Sequence, residues 1–165
     1  MNTPDQTYLD TLLLYYEEEI EGEAYFAELA RRFSEPELKE KLTLLAQVES
    51  HAAQAVAPLI ARHHLEPRAR QSLMASGRDQ ANATAADWPA LLAEMNKTYP
   101  GYLSDFTALE AMAPPPDRQR LAFLTEHEVA AIAFLEREGQ GNADSSAPLI
   151  EYLAADPETW RVDGR

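Results

Sequence analysis

Apolar residues recur every three or four positions through four long stretches of this chain, about residues 5–33, 36–63, 88–113 and 117–138, and nowhere alternate with the period of two of a half-buried strand. That period restricts the fold to helices packed side by side. The punctuation agrees. Ser34-Glu35-Pro36 divides the first stretch from the second, with Pro36 suited to a first helical turn, and Ala113-Pro114-Pro115-Pro116 divides the third from the fourth. Asp87 precedes Trp88-Pro89 as an N-cap, Pro100-Gly101 predicts a kink in the third helix, and Gly139 predicts the end of the fourth. Residues 64–87 show little periodicity and are expected to form a long crossover containing short helical pieces. After the linker GQGNADSSAP, the run PLIEYLAA predicts a short C-terminal helix capping one end. The expected class is all-α. Two antiparallel helical hairpins joined by one long crossover would make a four-helix bundle over residues 1–138, with 139–165 as linker and capping helix.

An internal repeat supports the pairing of hairpins. Residues 36–56 lie on 115–135 without a gap, so that Pro36 meets Pro115, Leu42 meets Leu121, Leu45 meets Leu124, Glu49 meets Glu128 and Ala52 meets Ala131. At 165 residues the chain suits one domain with a single core. It has no cysteine, which excludes thiol chemistry, thiolate metal sites and disulfides. A formal charge of −14 and a pI near 4.6 predict a surface that repels nucleic acid and anionic lipid. No apolar run reaches the roughly 18 residues of a membrane span, and MNTPDQTYLD lacks a basic region followed by an apolar one, so a cytoplasmic location is expected.

The helical period also sorts the acids. On the first helix Tyr8, Leu12, Tyr16, Ile20, Phe26 and Phe33 share a broad face, and Glu19 and Glu23 lie in its middle, whereas Glu17, Glu18, Glu21 and Glu28 fall on the side expected to be solvated. Glu49 is the one non-apolar member of the second helix's seam, and His51 points away from it. His127 and Glu128 fall within the buried arc of the fourth helix. Counted from the turn near residue 35, Glu19, Glu23 and Glu49 stand at similar depths, roughly 18 to 24 Å at 1.5 Å per residue, and Glu128 comes to a similar height. Glu110 lies near the far turn and is left out of the cluster. His63-His64 is expected to be exposed at the end of the second helix. Carboxylates in an apolar interior require pairing, hydrogen bonds, protonation or a cation. Lys39, Lys41, Arg118 and Arg120 sit near first turns, away from these acids, so a bound metal would meet the requirement directly.

With a mid-helix Glu19 followed seven residues later by Phe26, Glu49 at the same depth on the second helix, Glu128 on the fourth and one long crossover, the chain resembles the ferritin-like superfamily over about residues 5–138. That group of four-helix carboxylate proteins includes rubrerythrins and bacterioferritins. The resemblance implies a carboxylate-bound iron or manganese site, mono- or dinuclear, acting on oxygen or peroxide. Its usual ExxH motifs are broken here, since Ala52 and Ala131 stand three residues after Glu49 and Glu128, and Tyr99 and Tyr102 occupy the level of the third-helix acid. Glu23 and His127 are the spare ligand-type residues near the expected centre, so the candidate metal set is Glu19, Glu23, Glu49, His127 and Glu128. Two further readings stay open. One is a metal-free helical module, a homodimer in which buried acids and tyrosines bind a small ligand or fix helix register, with His127 as a core histidine bonded to a neighbouring acid. The other is acid-base catalysis by a carboxylate pair such as Glu19 and Glu49.

Overall fold

The computed structural model describes residues 3–160. The last five residues of the linker-and-helix segment 139–165, and residues 1 and 2 of the segment 1–138, lie outside the described residues. The described chain is all-helical. Six α-helices, α1 (Gln6–Arg32), α2 (Pro36–Arg62), α3 (Arg70–Asn82), α4 (Trp88–Met112), α5 (Arg118–Gly139) and α6 (Ala147–Ala154), are accompanied by a single 3-10 turn, Pro115–Asp117. The sequence's third and fourth long stretches are therefore α4 and α5.

Local chemistry explains the boundaries. The Asp5 carboxylate accepts from the Thr7 N–H at 2.9 Å and opens α1, and Asp87 accepts from the Ala90 N–H at 3.1 Å and opens α4. Pro36 occupies the first turn of α2, where a missing N–H costs nothing. α5 ends at Gly139, as expected, although a later glycine makes the turn. Gly139 stays helical, and Gly141, with φ of 68°, takes the left-handed position. The Asn142 and Gly141 N–H groups then return to the carbonyls of Arg137 and Glu138, a Schellman closure that satisfies two otherwise open acceptors. Pro58 and Pro100 are both carried inside continuous helices.

α1 packs along α2, α4 along α5, and α2 against α5, while α1 and α4 touch only lightly. The core runs between them through Leu12, Leu29, Leu42, Leu59, Leu121 and Phe134. α6 lies on α5 and α2, where His51 Nε2 meets the Ala155 carbonyl at 2.8 Å and the Tyr152 hydroxyl donates to the Phe123 carbonyl at 3.2 Å.

The crossover holds the largest departure from expectation. α3 lies along α1. Leu73, Gly77 and Ala81, four residues apart, form its buried stripe. Gly77 permits the contact, because a Cβ there would stand 2.1 Å from the Glu21 carbonyl oxygen. This packing covers the side of α1 expected to be solvated. Glu17 is buried, accepting from the Arg68 N–H at 2.7 Å and pairing with its guanidinium at 3.2 Å. Glu21 pairs with Arg68 at 3.3 Å and accepts from the Ser76 hydroxyl at 2.7 Å. Glu18 remains exposed, as expected.

The far end carries a second polar junction. Asp117, fully buried, accepts from the Tyr8 hydroxyl at 2.7 Å, from Arg62 at 2.5 Å and from His63 Nε2 at 2.6 Å. His63 is thus not the exposed residue the sequence suggests, because the chain entering α5 brings an acid to it. His64 is exposed and adopts a left-handed φ of 53°.

Candidate metal and cation site

Three helices bring four ionisable groups to one place. Glu19 comes from α1, Glu49 from α2, and His127 and Glu128 from α5. His127 Nε2 stands 3.1 Å from Glu19 Oε2, 3.4 Å from Glu49 Oε2 and 3.4 Å from Glu128 Oε2. Glu19, Glu49 and His127 each offer a ligand atom, and those atoms lie within 4.8 Å of one another. Such spacing lets three side chains reach a common ion.

The ring's other nitrogen fixes its role. His127 Nδ1 contacts the Leu124 carbonyl, which only accepts, so Nδ1 carries a proton and Nε2 faces the acids. A carbonyl behind the ring is the usual support of a metal-binding histidine. Phe106 packs its edge against the ring, with centroids 5.0 Å apart. Gly22 makes room for Glu49, since a Cβ there would lie 3.1 Å from its Cδ.

The cluster is largely buried, and protonation reflects it. Burial pushes the Glu19 carboxyl well above the ordinary range, Glu49 pushes it further, and His127 opposes both. Burial works against the charge on Glu49, yet hydrogen bonds from Glu19 and His127 hold its carboxyl below the ordinary range. Burial opposes the charge on His127 as well, but the carboxylates of Glu19 and Glu49 raise it well above the usual histidine value. Burial raises Glu128 to about 7, with His127 pulling down and Glu49 pushing up. Without a metal, the surroundings therefore favour the protonated form of Glu19 and the charged forms of Glu49 and His127, and Glu128 is raised to about 7.

Two oxygens of this cluster lack hydrogen-bond partners. Glu19 Oε2, although 3.1 Å from His127 Nε2, lies outside hydrogen-bond geometry, and Glu128 Oε1 is likewise buried and unsatisfied. Buried acceptors without donors are what a cation would satisfy, so the residues present fit a metal ion. Glu23, expected with the ligands, is not among them. Its Oε2 pairs with Arg70 Nη2 at 3.1 Å. The arginine comes from α3, which the sequence reading had not set against α1.

A cleft of about 650 Å³ between α1 and α4 leads to the cluster. Buried Phe26, Leu91, Met95 and Tyr99 line its inner part, and Leu14, Tyr102, Glu94 and Asp105 are exposed on its rim. Gly22, the crossover's Arg68 and Arg70 and the rim acids Glu94 and Asp105 were not singled out by sequence reasoning. A glycine one turn from a mid-face glutamate was the available signal for the first, and spacing carried none for the others.

Comparison with known proteins finds no family model, no curated protein and no solved structure that matches this chain.

Proposed function

We propose that the chain is a divergent ferritin-like four-helix bundle, formed by α1, α2, α4 and α5, that holds one iron or manganese ion on Glu19, Glu49 and His127 and acts on oxygen or peroxide. The observation that carries this reading is the convergence of His127 Nε2 and the carboxylates of Glu19, Glu49 and Glu128 in a buried site where two carboxylate oxygens lack donors. The packing of α1 on α2, of α4 on α5 and of α2 on α5 supports the bundle.

Bound iron or manganese would supply redox chemistry toward oxygen or peroxide. The chain's part is separable from that. Glu19 and Glu49 present anionic oxygens once Glu19 gives up its proton, and His127 gives up its Nε2 proton while Nδ1 stays on the Leu124 carbonyl. Glu128, raised to about 7, can hold or release a proton beside them. Phe106, Tyr99 and Met95 line the cleft beside the cluster.

A metal-free reading is favoured by a different observation. Protonated His127 lies within reach of all three carboxylates and can itself be their counter-charge. The cleft would then serve a binding module, in the expected form a homodimer. Metal content separates the two. Tag-free protein, stripped with chelator and reloaded anaerobically with ferrous or manganous ion, should retain about one ion per chain, and Glu49→Ala and His127→Ala should each abolish retention. A wild-type protein that stays empty after loading would sink the metal reading.

A further inference from the structure

Seven carboxylates line the cleft, with no lysine or arginine. Three of them, Glu18, Glu94 and Asp105, are exposed on the rim, and Glu19, Glu49 and Glu128 form the floor. The seventh, Glu21, is paired to Arg68, which stands outside the lining. In a chain with 28 acidic and 14 basic residues, an unbiased wall would carry bases in half the number of its acids. The field of the acids reaches the aromatic wall. Burial and then Glu18, Glu128, Glu94 and Asp105 raise the phenol of Tyr102 above its ordinary value. Such a cleft concentrates cations and repels anions before any contact is made.

Two further observations specify the kind of cation. Glu128 Oε1 is buried without a donor, on a side chain 6% exposed that lines the cleft. The walls above it are Tyr15, Tyr25, Tyr99, Tyr102, Phe106 and Met95. An inorganic cation is held by oxygen or nitrogen ligands and makes little use of aromatic walls. Aromatic faces attract organic cations, and about 650 Å³ is the size of a small-molecule pocket. We propose that the cleft binds a small organic ammonium ion, an amine with an apolar body, whose charge is met by the Glu128 carboxyl at the floor while its body lies between the tyrosines and Met95. This rests on the reading of the cluster as a functional centre and names the substrate class of that same site.

The test is calorimetry on the full chain, in chelated and metal-loaded forms, with phenethylamine and hexylamine as probes and 2-phenylethanol, hexanol, 3-phenylpropionate and hexanoate as uncharged and anionic counterparts. The ammonium probes should bind at about one per chain and about tenfold more tightly than the alcohols, with no binding of the carboxylates. Tyr102→Ala and the double substitution Glu94→Gln with Asp105→Asn, on the exposed rim where folding is not at stake, should each weaken ammonium binding several-fold. Adding salt should weaken it in the wild type and much less in the double variant. Alcohols binding as tightly as amines, or no binding of either amine, would overturn the proposal. Because metal content is measured separately, a protein that holds its ion but ignores amines refutes only the substrate class, and one that takes amines but never metal refutes only the metal reading.

Discussion

Replacing Glu128 by glutamine should stabilise the metal-free protein at alkaline pH and do little at acid pH. A carboxyl whose value in the folded chain is raised stabilises least where it must ionise. Its contribution is intact below the ordinary value of 4.5, declines as the pH rises, and is lost above about 7. At ~1.4 kcal/mol per pH unit, the rise from 4.5 to about 7 corresponds to about 3 kcal/mol of stability missing at pH 8. Glutamine keeps the shape and cannot ionise, so the variant recovers most of that amount at pH 8 and under about 1 kcal/mol at pH 5. For a chain of this size, that amounts to a melting temperature higher by about 6 to 10 °C at pH 8. The assay is thermal and urea unfolding of chelated wild type and Glu128→Gln at both pH values, by circular dichroism. Added manganous ion should narrow the gap, because a bound cation lets Glu128 ionise in place. A variant no more stable than wild type at pH 8, or equally improved at both pH values, would refute the claim that a desolvated carboxyl near His127 limits the stability of the empty site.

Gly22→Ala places a Cβ 3.1 Å from Glu49 Cδ and should weaken metal retention about 10- to 100-fold, as loss of ligand positioning does, while unfolding stability changes little because alanine favours the helix by about 1 kcal/mol; metal titration beside urea unfolding tests it. Gly77→Ala meets the Glu21 carbonyl at 2.1 Å and should lift α3 from α1, costing about 2 to 3 kcal/mol and exposing residues 70–82 to hydrogen exchange before the remaining helices. Asp117→Ala leaves the buried Tyr8 hydroxyl without its acceptor and should cost about 2 to 3 kcal/mol, toward the low end for a buried acid because Arg62 is half exposed; its metal content should be unchanged, since the junction it breaks is made of Tyr8, Arg62 and His63 rather than of cluster residues.

The helices were legible because each long stretch carries its own period and its own end signals. Asp87 caps α4 as its position suggested, and Pro36 opens α2. The floor of the site was legible for the same reason, since Glu19, Glu49 and Glu128 interrupt otherwise apolar faces and helical rise sets their depth. The crossover was expected to contain helix, as α3 does, but its docking on α1 was not legible. A stripe of leucine, glycine and alanine four residues apart leaves almost no hydrophobic signal in a 13-residue helix, and its docking depends on a glycine that meets a backbone rather than a side chain. The error passed directly to the site. With α3 unplaced, Glu23 looked as available as Glu19, and the outer acids of α1 looked solvated. His63 failed similarly, because its partner, Asp117, is 54 residues away and no local pattern links them.

The same crossover explains which acids of α1 are left uncompensated. α1 carries six glutamates between positions 17 and 28, on several of its faces. Arg68 answers Glu17 and Glu21, Arg70 answers Glu23, and Arg31 stands 3.8 Å from Glu28. Two remain, Glu18 on the rim of the cleft and Glu19 on its floor, both turned to the side where α1 touches α4 only lightly. Were the crossover without its arginines, negative potential would spread over α1 and steer a cation to no particular place. With them, the α1 glutamates left without an arginine are the two at this cleft, and at its floor Glu49 and Glu128, matching positions of the internal repeat, add their carboxylates from α2 and α5. His127 alone stands among those floor acids as a counter-charge, and it leaves Glu19 Oε2 and Glu128 Oε1 unsatisfied. With one imidazole among three carboxyl groups, the floor can take a cation once Glu19 and Glu128 give up their protons.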